Sequence, residues 1–336
     1  MKTLTRISRV RDDTLFCDLF QPGWIATSTV FRRLRPAGWV LAGLLFCFSE
    51  TAYAQPAEFE RYRNTLWGYL ETLTDFGPRY AGTLGYDRTL QLLRQVGREF
   101  ADEVVEHPFV IRRENGEQVR MVNIELVFHG STGGPPVLIG AHYDTRPFAD
   151  EEFDLEARAK PIQGANDGGS GTAVLLGLAR YLEDQPPRLP VRLMFFDGED
   201  FGTTGSGEMF TGSNHHANQL KLLDPKTWPR AVLVVDMVGD RDLQIYKESY
   251  SVHSGPKLLD RIYSTAQRQN ISQFKEERKY SVLDDHVPFS MLGIPSVVLI
   301  DFDYPHWHKL SDTLDKCSPE SLLAVFSVLA GVLEEW

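Results

Sequence analysis

The stretch Val191-Arg192-Leu193-Met194-Phe195-Phe196-Asp197-Gly198-Glu199-Asp200 sets the reading of the whole chain. A short, mostly apolar run ends at a glycine and two adjacent carboxylates. Runs of that length and character suit a strand buried on both faces of a parallel sheet. The pattern recurs twice. Val137 to Ala141 leads into His142-Tyr143-Asp144, and Ala231 to Val235 leads into Asp236. In open α/β sheets, ligands gather at the carboxyl ends of strands, where several loops converge. Carboxylates and imidazoles collected there suit a borderline cation such as zinc.

The sequence on either side fits the same plan. Phe59, Tyr62, Leu66, Leu70 and Leu73 fall three or four apart, which predicts a helix over 56–76 that ends at Gly77-Pro78. Leu90, Leu93, Val96 and Phe100 predict a second helix over 86–100. Strands are expected over 104–111 and 119–128, joined through Asn115-Gly116, a strong hairpin signal. Asp167 opens a glycine-rich helix, 258–267 is helical, 296–300 is the last central strand, and 319–336 is a closing helix. Thr145 to Asn166 is left as a long polar loop, a length associated with function or mobility. Strands and helices alternate, so residues 55–336 read as one α/β/α sandwich around a central mixed, mainly parallel sheet.

The chain has 336 residues, 42% of them hydrophobic, enough for a substantial core. Its formal net charge is −11 and no basic stripe follows residue 54, which argues against a nucleic-acid partner. Arg32, Arg33 and Arg35 precede an apolar stretch from Trp39 to Phe48, and Ala52-Tyr53-Ala54 offers a small-x-small cleavage site. That order reads as an export signal over residues 1–54, with a destination in the periplasm or outside the cell. The apolar stretch is short for a bilayer, so no stable span is expected in the mature chain. Beyond residue 54 only Cys317 remains, and no intrachain disulfide can form.

Glu199 and Asp200 invite a division of labour. A carboxylate that ligates a metal has committed its lone pairs, while a free neighbour can still move protons. Asp200 is therefore assigned to the metal and Glu199 to proton transfer. Asp167, Asp200 and His308 then make three protein ligands with one position open, as catalytic zinc requires. Asp167 doubles as a helix N-cap candidate. His142 and Asp236 read either as ligands of a second metal, with Asp167 bridging, or as hydrogen-bonded supports of the first. Asp144 is placed to orient the His142 imidazole. Asp284-Asp285-His286 reads as a charged cluster in which one carboxylate takes up a proton, or as an ordinary helix N-terminus.

Taken in order, His142-Tyr143-Asp144, Gly164-Ala165-Asn166-Asp167, Glu199-Asp200 and Asp236-Met237-Val238-Gly239 resemble the zinc-dependent aminopeptidase superfamily, peptidase family M28. Within it, Phe195 to Asp200, Asp284 to Phe289 and Trp307-His308 are similar to segments of the animal-type glutaminyl cyclases and their bacterial relatives. The resemblance runs from Gly77-Pro78-Arg79 to the C-terminal helix. It implies one zinc on Asp167, Asp200 and His308, Glu199 as the acid/base, and Asp236 and Asp284 as hydrogen-bonded catalytic supports. It also implies turnover of the N-terminal glutamine of peptides and proteins to pyroglutamate with loss of ammonia, in a pocket walled by Trp307 and Phe201. Asp200 stands where the animal cyclases carry glutamate. The animal cyclases also keep the histidine at position 142 without using it for metal. The alternative within the same superfamily is an exported aminopeptidase with two zinc ions, which would place His142 and Asp236 in the metal shell.

Overall fold

The computed structural model describes residues 58–113, 115–203 and 206–336. The export signal expected over residues 1–54 lies outside them. Strands are β1 (Glu103–Arg112), β2 (Gln118–Phe128), β3 (Val137–His142), β4 (Val191–Phe196), β5 (Ala231–Asp236), β6 (Ile245–Glu248), β7 (Phe274–Tyr280) and β8 (Ser296–Ile300). Helices are α1 (Arg63–Asp75), α2 (Leu84–Phe100), α3 (Leu155–Arg158), α4 (Gly169–Asp184), α5 (Thr211–Leu220), α6 (Ser249–Ser254), α7 (Pro256–Arg268), α8 (Val287–Ser290) and α9 (Pro319–Glu334).

Six strands form the main sheet in the order β1-β2-β4-β3-β5-β8. The β1-β2 hairpin and the β2-β4 pair are antiparallel. The other three pairings, β4-β3, β3-β5 and β5-β8, are parallel. Chain order steps from β3 to β4 on one side, then back across β3 to β5. Such a reversal leaves a crevice at the strand carboxyl ends, because the loops on either side diverge. His142 pairs in register with Phe196, and Asp236 with Ile300, so these strand ends lie level.

Period-two alternation divides the strand side chains between two cores. Ile139, Leu193, Leu233 and Leu299 face the larger one, beneath α1, α2, α4, α7 and α9. Leu138, Met194, Val234 and Val298 face the smaller one with α5 and α8. This is the expected three-layer α/β/α sandwich with a mainly parallel sheet. The central helix α4 is buried on nearly every side, and Gly171 is why it can lie so close. A Cβ there would sit 2.4 Å from the Val235 carbonyl oxygen at the end of β5.

The predicted helix over 56–76 is shorter, with a 3-10 turn at Glu60–Tyr62 leading into α1. The parallel β6-β7 ribbon has no counterpart in the sequence reading. β7 is Phe-Lys-Glu-Glu-Arg-Lys-Tyr and mostly exposed, so it carries no apolar run to announce it. Asp167 does not cap α4: the cap position falls on Gly168, at φ 80°, and no side chain caps the helix. The Asp167 carboxylate is thereby left to face the crevice. Among the described residues no helix is long and apolar enough to cross a membrane.

Candidate active site

His142 closes β3, Glu199 and Asp200 follow β4, and Asp236 closes β5. Asp167 precedes α4, Asp284 precedes α8, and His308 lies on the loop between β8 and α9. Asp167, Glu199, Asp200, Asp236, Asp284 and His308 line one cavity of about 380 Å³. Segments as much as 141 residues apart in sequence (308 − 167) thus converge where the sheet topology reverses.

Ligand atoms of Asp167, Asp200 and His308 all lie within 4.8 Å of one another. His308 Nε2 is 3.2 Å from Asp200 Oδ1 and 3.6 Å from Asp167 Oδ2. His142 Nε2 is 3.2 Å from Asp167 Oδ1 and 3.0 Å from Asp236 Oδ1. His142, Asp167 and Asp236 make a second such group, which shares Asp167 with the first, and His142, Glu199 and Asp200 make a third. Beyond ligating atoms, these groups bring charges that are costly to bury unpaired. Asp167 Oδ2 and Asp200 Oδ2 are buried with no hydrogen-bond partner. A carboxylate-rich, dry donor set with one imidazole suits a divalent cation and fits zinc.

The electrostatics carry the same imprint. Burial, then the Asp200 charge, push Asp167 up to about 7. Burial and the same neighbour hold Glu199 well above the usual carboxylate range. Asp200 itself is held far below it, because His308 and Arg146 outweigh its burial. Burial opposes the His308 cation, yet Asp200 and Asp150 push the imidazole up to about 9. Burial, then Asp236, raise Asp284 to about 7, and its neighbour Asp285 is driven up by burial and Asp284.

Asp144 has a larger duty than orienting an imidazole. Its Oδ1 lies 3.6 Å from His142 Nδ1. Its two oxygens accept the backbone N–H groups of Glu199, at 3.2 Å, and Asp200, at 3.1 Å. It thereby fixes the turn that presents both carboxylates. Backbone strain is concentrated at the cavity as well. Of the four non-glycine residues with positive φ among the described ones, Phe210 (54°), Met237 (45°) and His308 (53°) line it. Such conformations persist where surrounding contacts over-determine them, commonly at functional sites.

Trp307 lines the cavity as expected, with its ring stacked on His308 at a centroid distance of 3.9 Å. Phe201 does not. It packs with Phe109 and Met121 beneath Arg113, whose guanidinium lies 5.0 Å from its ring centre. Successive residues on the turn after β4 point in different directions, so sending Asp200 inward turns Phe201 towards the β1-β2 hairpin. The apolar walls are instead Met209, Phe210, Leu283, Ile300 and Phe302, with Trp307.

Four supports escaped the sequence reading. Arg146 and Asp150 lie in the long loop after β3 and contact Asp200 and His308. Asp312 accepts the N–H groups of Asn166, at 2.9 Å, and Asp167, at 3.1 Å, and the Tyr304 hydroxyl at 2.7 Å. Arg79 is fully buried and donates to the carbonyls of Tyr143, Gln163 and Gly164. Buried arginines and aspartates look like surface residues in a sequence, and only the loop packing distinguishes them.

Residues 123–333 match the family model described as Peptidase family M28. A Drosophila melanogaster glutaminyl-peptide cyclotransferase is 26% identical over 227 residues, which are 58% of this chain and 60% of that protein. Aminopeptidase YwaD of Bacillus subtilis is 28% identical over 208 residues, 59% of this chain and 40% of that one. The chain thus spans less than two thirds of the length of these relatives. The crystal structure of Fimbriiglobus ruber glutaminyl cyclase is matched with a TM-score of 0.77 and 31% identity, over 84% of this chain and 100% of that chain.

Proposed function

The chain belongs to peptidase family M28, and on that premise we propose that it is an exported, zinc-dependent glutaminyl-peptide cyclotransferase. Its substrates are the N-terminal glutamines of peptides and proteins, and its products are pyroglutamate and ammonia. The observation that carries this reading is the likeness to the Fimbriiglobus ruber cyclase over the whole of that chain. The cavity supports it: carboxylates, apolar side chains and a tryptophan line it together.

Asp167, Asp200 and His308 hold the zinc, and His142 and Asp236 support it. Bound there, zinc would polarise the side-chain amide carbonyl of the substrate. The remaining chemistry falls to the chain's own residues. The apolar walls place the α-amine against its own side-chain amide and exclude water, so ring closure gains chiefly from positioning. Glu199, whose carboxylate is made more basic by burial and by Asp200, accepts a proton from the amine and returns one to the departing ammonia. Asp284, which lines the same cavity, holds or relays a proton beside it, with Asp236 as a further catalytic support.

The His142-Asp167-Asp236 group favours a second reading, a dinuclear zinc aminopeptidase, since two metals suit water activation. Mass spectrometry of a glutamine-led peptide incubated with zinc-loaded protein tests the choice. Loss of ammonia with the chain length unchanged supports the cyclase. Release of the whole first residue overturns it in favour of the peptidase.

A further inference from the structure

Arg146 is completely buried, yet it lies in a loop whose sequence reads as long and polar. Its guanidinium is a fork between two carboxylates. Nε and Nη2 donate to Asp150 Oδ1 and Oδ2, each at 2.7 Å, and Nη1 donates to Asp200 Oδ1 at 2.9 Å. Asp150 Oδ1 in turn lies 3.2 Å from His308 Nδ1, the ring nitrogen facing away from Asp167 and Asp200. The next two residues continue the contact. Glu151 N–H donates to the His308 carbonyl at 3.3 Å, and Glu152 Oε1 accepts the Leu310 N–H at 3.0 Å. The segment from Arg146 to Glu152 therefore grips one proposed zinc ligand by its carboxylate. It places a carboxylate beside the ring of another and holds that residue's loop through the His308 carbonyl and the Leu310 N–H.

His308 needs that grip. Its φ of 53° is a conformation that a residue with a Cβ holds only under constraint. The loop is itself anchored at its far end by Arg79, which donates to the carbonyls of Gln163 and Gly164.

We infer that Arg146 and Asp150 are positioning residues that fix the geometry of Asp200 and His308 and so determine how tightly the metal is held. This rests on the assignment of Asp167, Asp200 and His308 as the zinc ligands. A carboxylate behind a ligating imidazole fixes its tautomer and orientation, and removing such a partner costs about 10- to 100-fold in metal affinity. The guanidinium fork adds what a point charge lacks, a fixed angle between the two carboxylates it joins.

Charge and geometry predict opposite signs at Arg146, which makes the inference testable. Removing a cation beside the ligands tightens a divalent metal if charge alone matters. If the fork matters, Arg146→Lys, which keeps the charge, and Arg146→Met both loosen it. Zinc dissociation constants are measured by chelator competition on the wild-type protein, Arg146→Lys, Arg146→Met and Asp150→Asn. Absorption spectra of the cobalt-loaded forms report ligand geometry. Asp150 is partly exposed, so Asp150→Asn keeps the test open if a change at Arg146 prevents folding. A rise of about 10- to 100-fold in the constant for Asp150→Asn, with an altered cobalt spectrum and an unchanged circular dichroism spectrum, is expected. An unchanged constant in Asp150→Asn, or tighter zinc in Arg146→Met, overturns the inference while leaving the metal assignment intact. Failure of the wild-type protein to take up zinc overturns both.

Discussion

His142 and Asp236 meet at the ends of adjacent parallel strands, with Nε2 3.0 Å from Oδ1. The contact follows from register: β3 and β5 are paired side by side, and each ends on the same level of the sheet. It joins the two residues whose role separates a one-metal from a two-metal enzyme. Burial opposes a charge on the imidazole, but Asp236 and the carboxylates of Asp144 and Asp167 raise it well above its ordinary value. The pair is thus able to satisfy itself through its own hydrogen bond.

Metal counting follows directly from this pair. Under the cyclase reading the protein binds one zinc per chain, and His142→Ala still binds one. Elemental analysis after dialysis measures this. Two tightly held zinc ions in the wild-type protein, falling to one in His142→Ala, would transfer the chain to the aminopeptidase reading.

Glu199→Gln is expected to remove proton transfer without removing a ligand. Turnover should fall about 10²- to 10⁴-fold, the usual contribution of a positioned acid/base. Zinc content should remain that of the wild-type protein. Activity within a fewfold of wild type would show that another group carries the proton.

Trp307 lines the cavity and is stacked on His308. Trp307→Ala removes a wall and a stacking partner. A contact of this kind is worth about 0.5–1.5 kcal/mol beyond the area it buries. KM for a glutamine-led peptide should rise about tenfold with a smaller change in kcat. A loss confined to kcat would place the indole with the reacting atoms instead.

Glu248 is fully buried and holds the wall segment that leads into Asp284. It accepts the N–H groups of Tyr250 and Ser251, at 2.8 and 2.7 Å, and of Val282, at 3.1 Å, with His286 Nε2 3.4 Å away. Burial works against its charge, but His286 and the backbone donors outweigh it and hold the carboxylate below its usual range. With the folded value depressed, its stabilisation is complete above the unfolded value of about 4.3 and is lost as pH falls through the folded one. Glu248→Gln should cost about 1.5–3 kcal/mol at neutral pH and lessen the acid sensitivity of unfolding below about pH 4. Denaturant unfolding at several pH values measures both. Equal acid sensitivity in the two proteins would show that the carboxylate is not the titrating group.

The sheet was largely legible because burial leaves a local trace. Val137–Ala141, Val191–Phe196, Ala231–Val235 and Ser296–Ile300 are apolar runs whose ends the structure moves by no more than a residue. The β6-β7 ribbon and the short helices left no such trace, since charged, half-exposed segments look alike whether extended or coiled. Six of the residues singled out for chemistry do share one cavity, and four of them, Asp167, Glu199, Asp200 and Asp236, sit at the end or start of an element that could be read.

Phe201 marks where that reasoning stops. Its neighbours Glu199 and Asp200 enter the cavity while its own ring joins Phe109 and Met121, and nothing in the order of residues gives the direction of a side chain leaving a turn. Asp150 and Arg146 mark it again: their partners lie 158 and 54 residues away, and either residue alone reads as an exposed loop charge. The sequence by itself determined the six strands of the main sheet, their order of appearance and the kinds of candidate ligand at their ends, because hydrophobic periodicity and chain punctuation are local properties. The tertiary structure alone decided which charges meet, which carboxylate oxygens are buried without a hydrogen-bond partner, and that the long loop after β3 grips the site. Those depend on which loops converge above the sheet, and that is settled by register and packing between segments far apart in the chain.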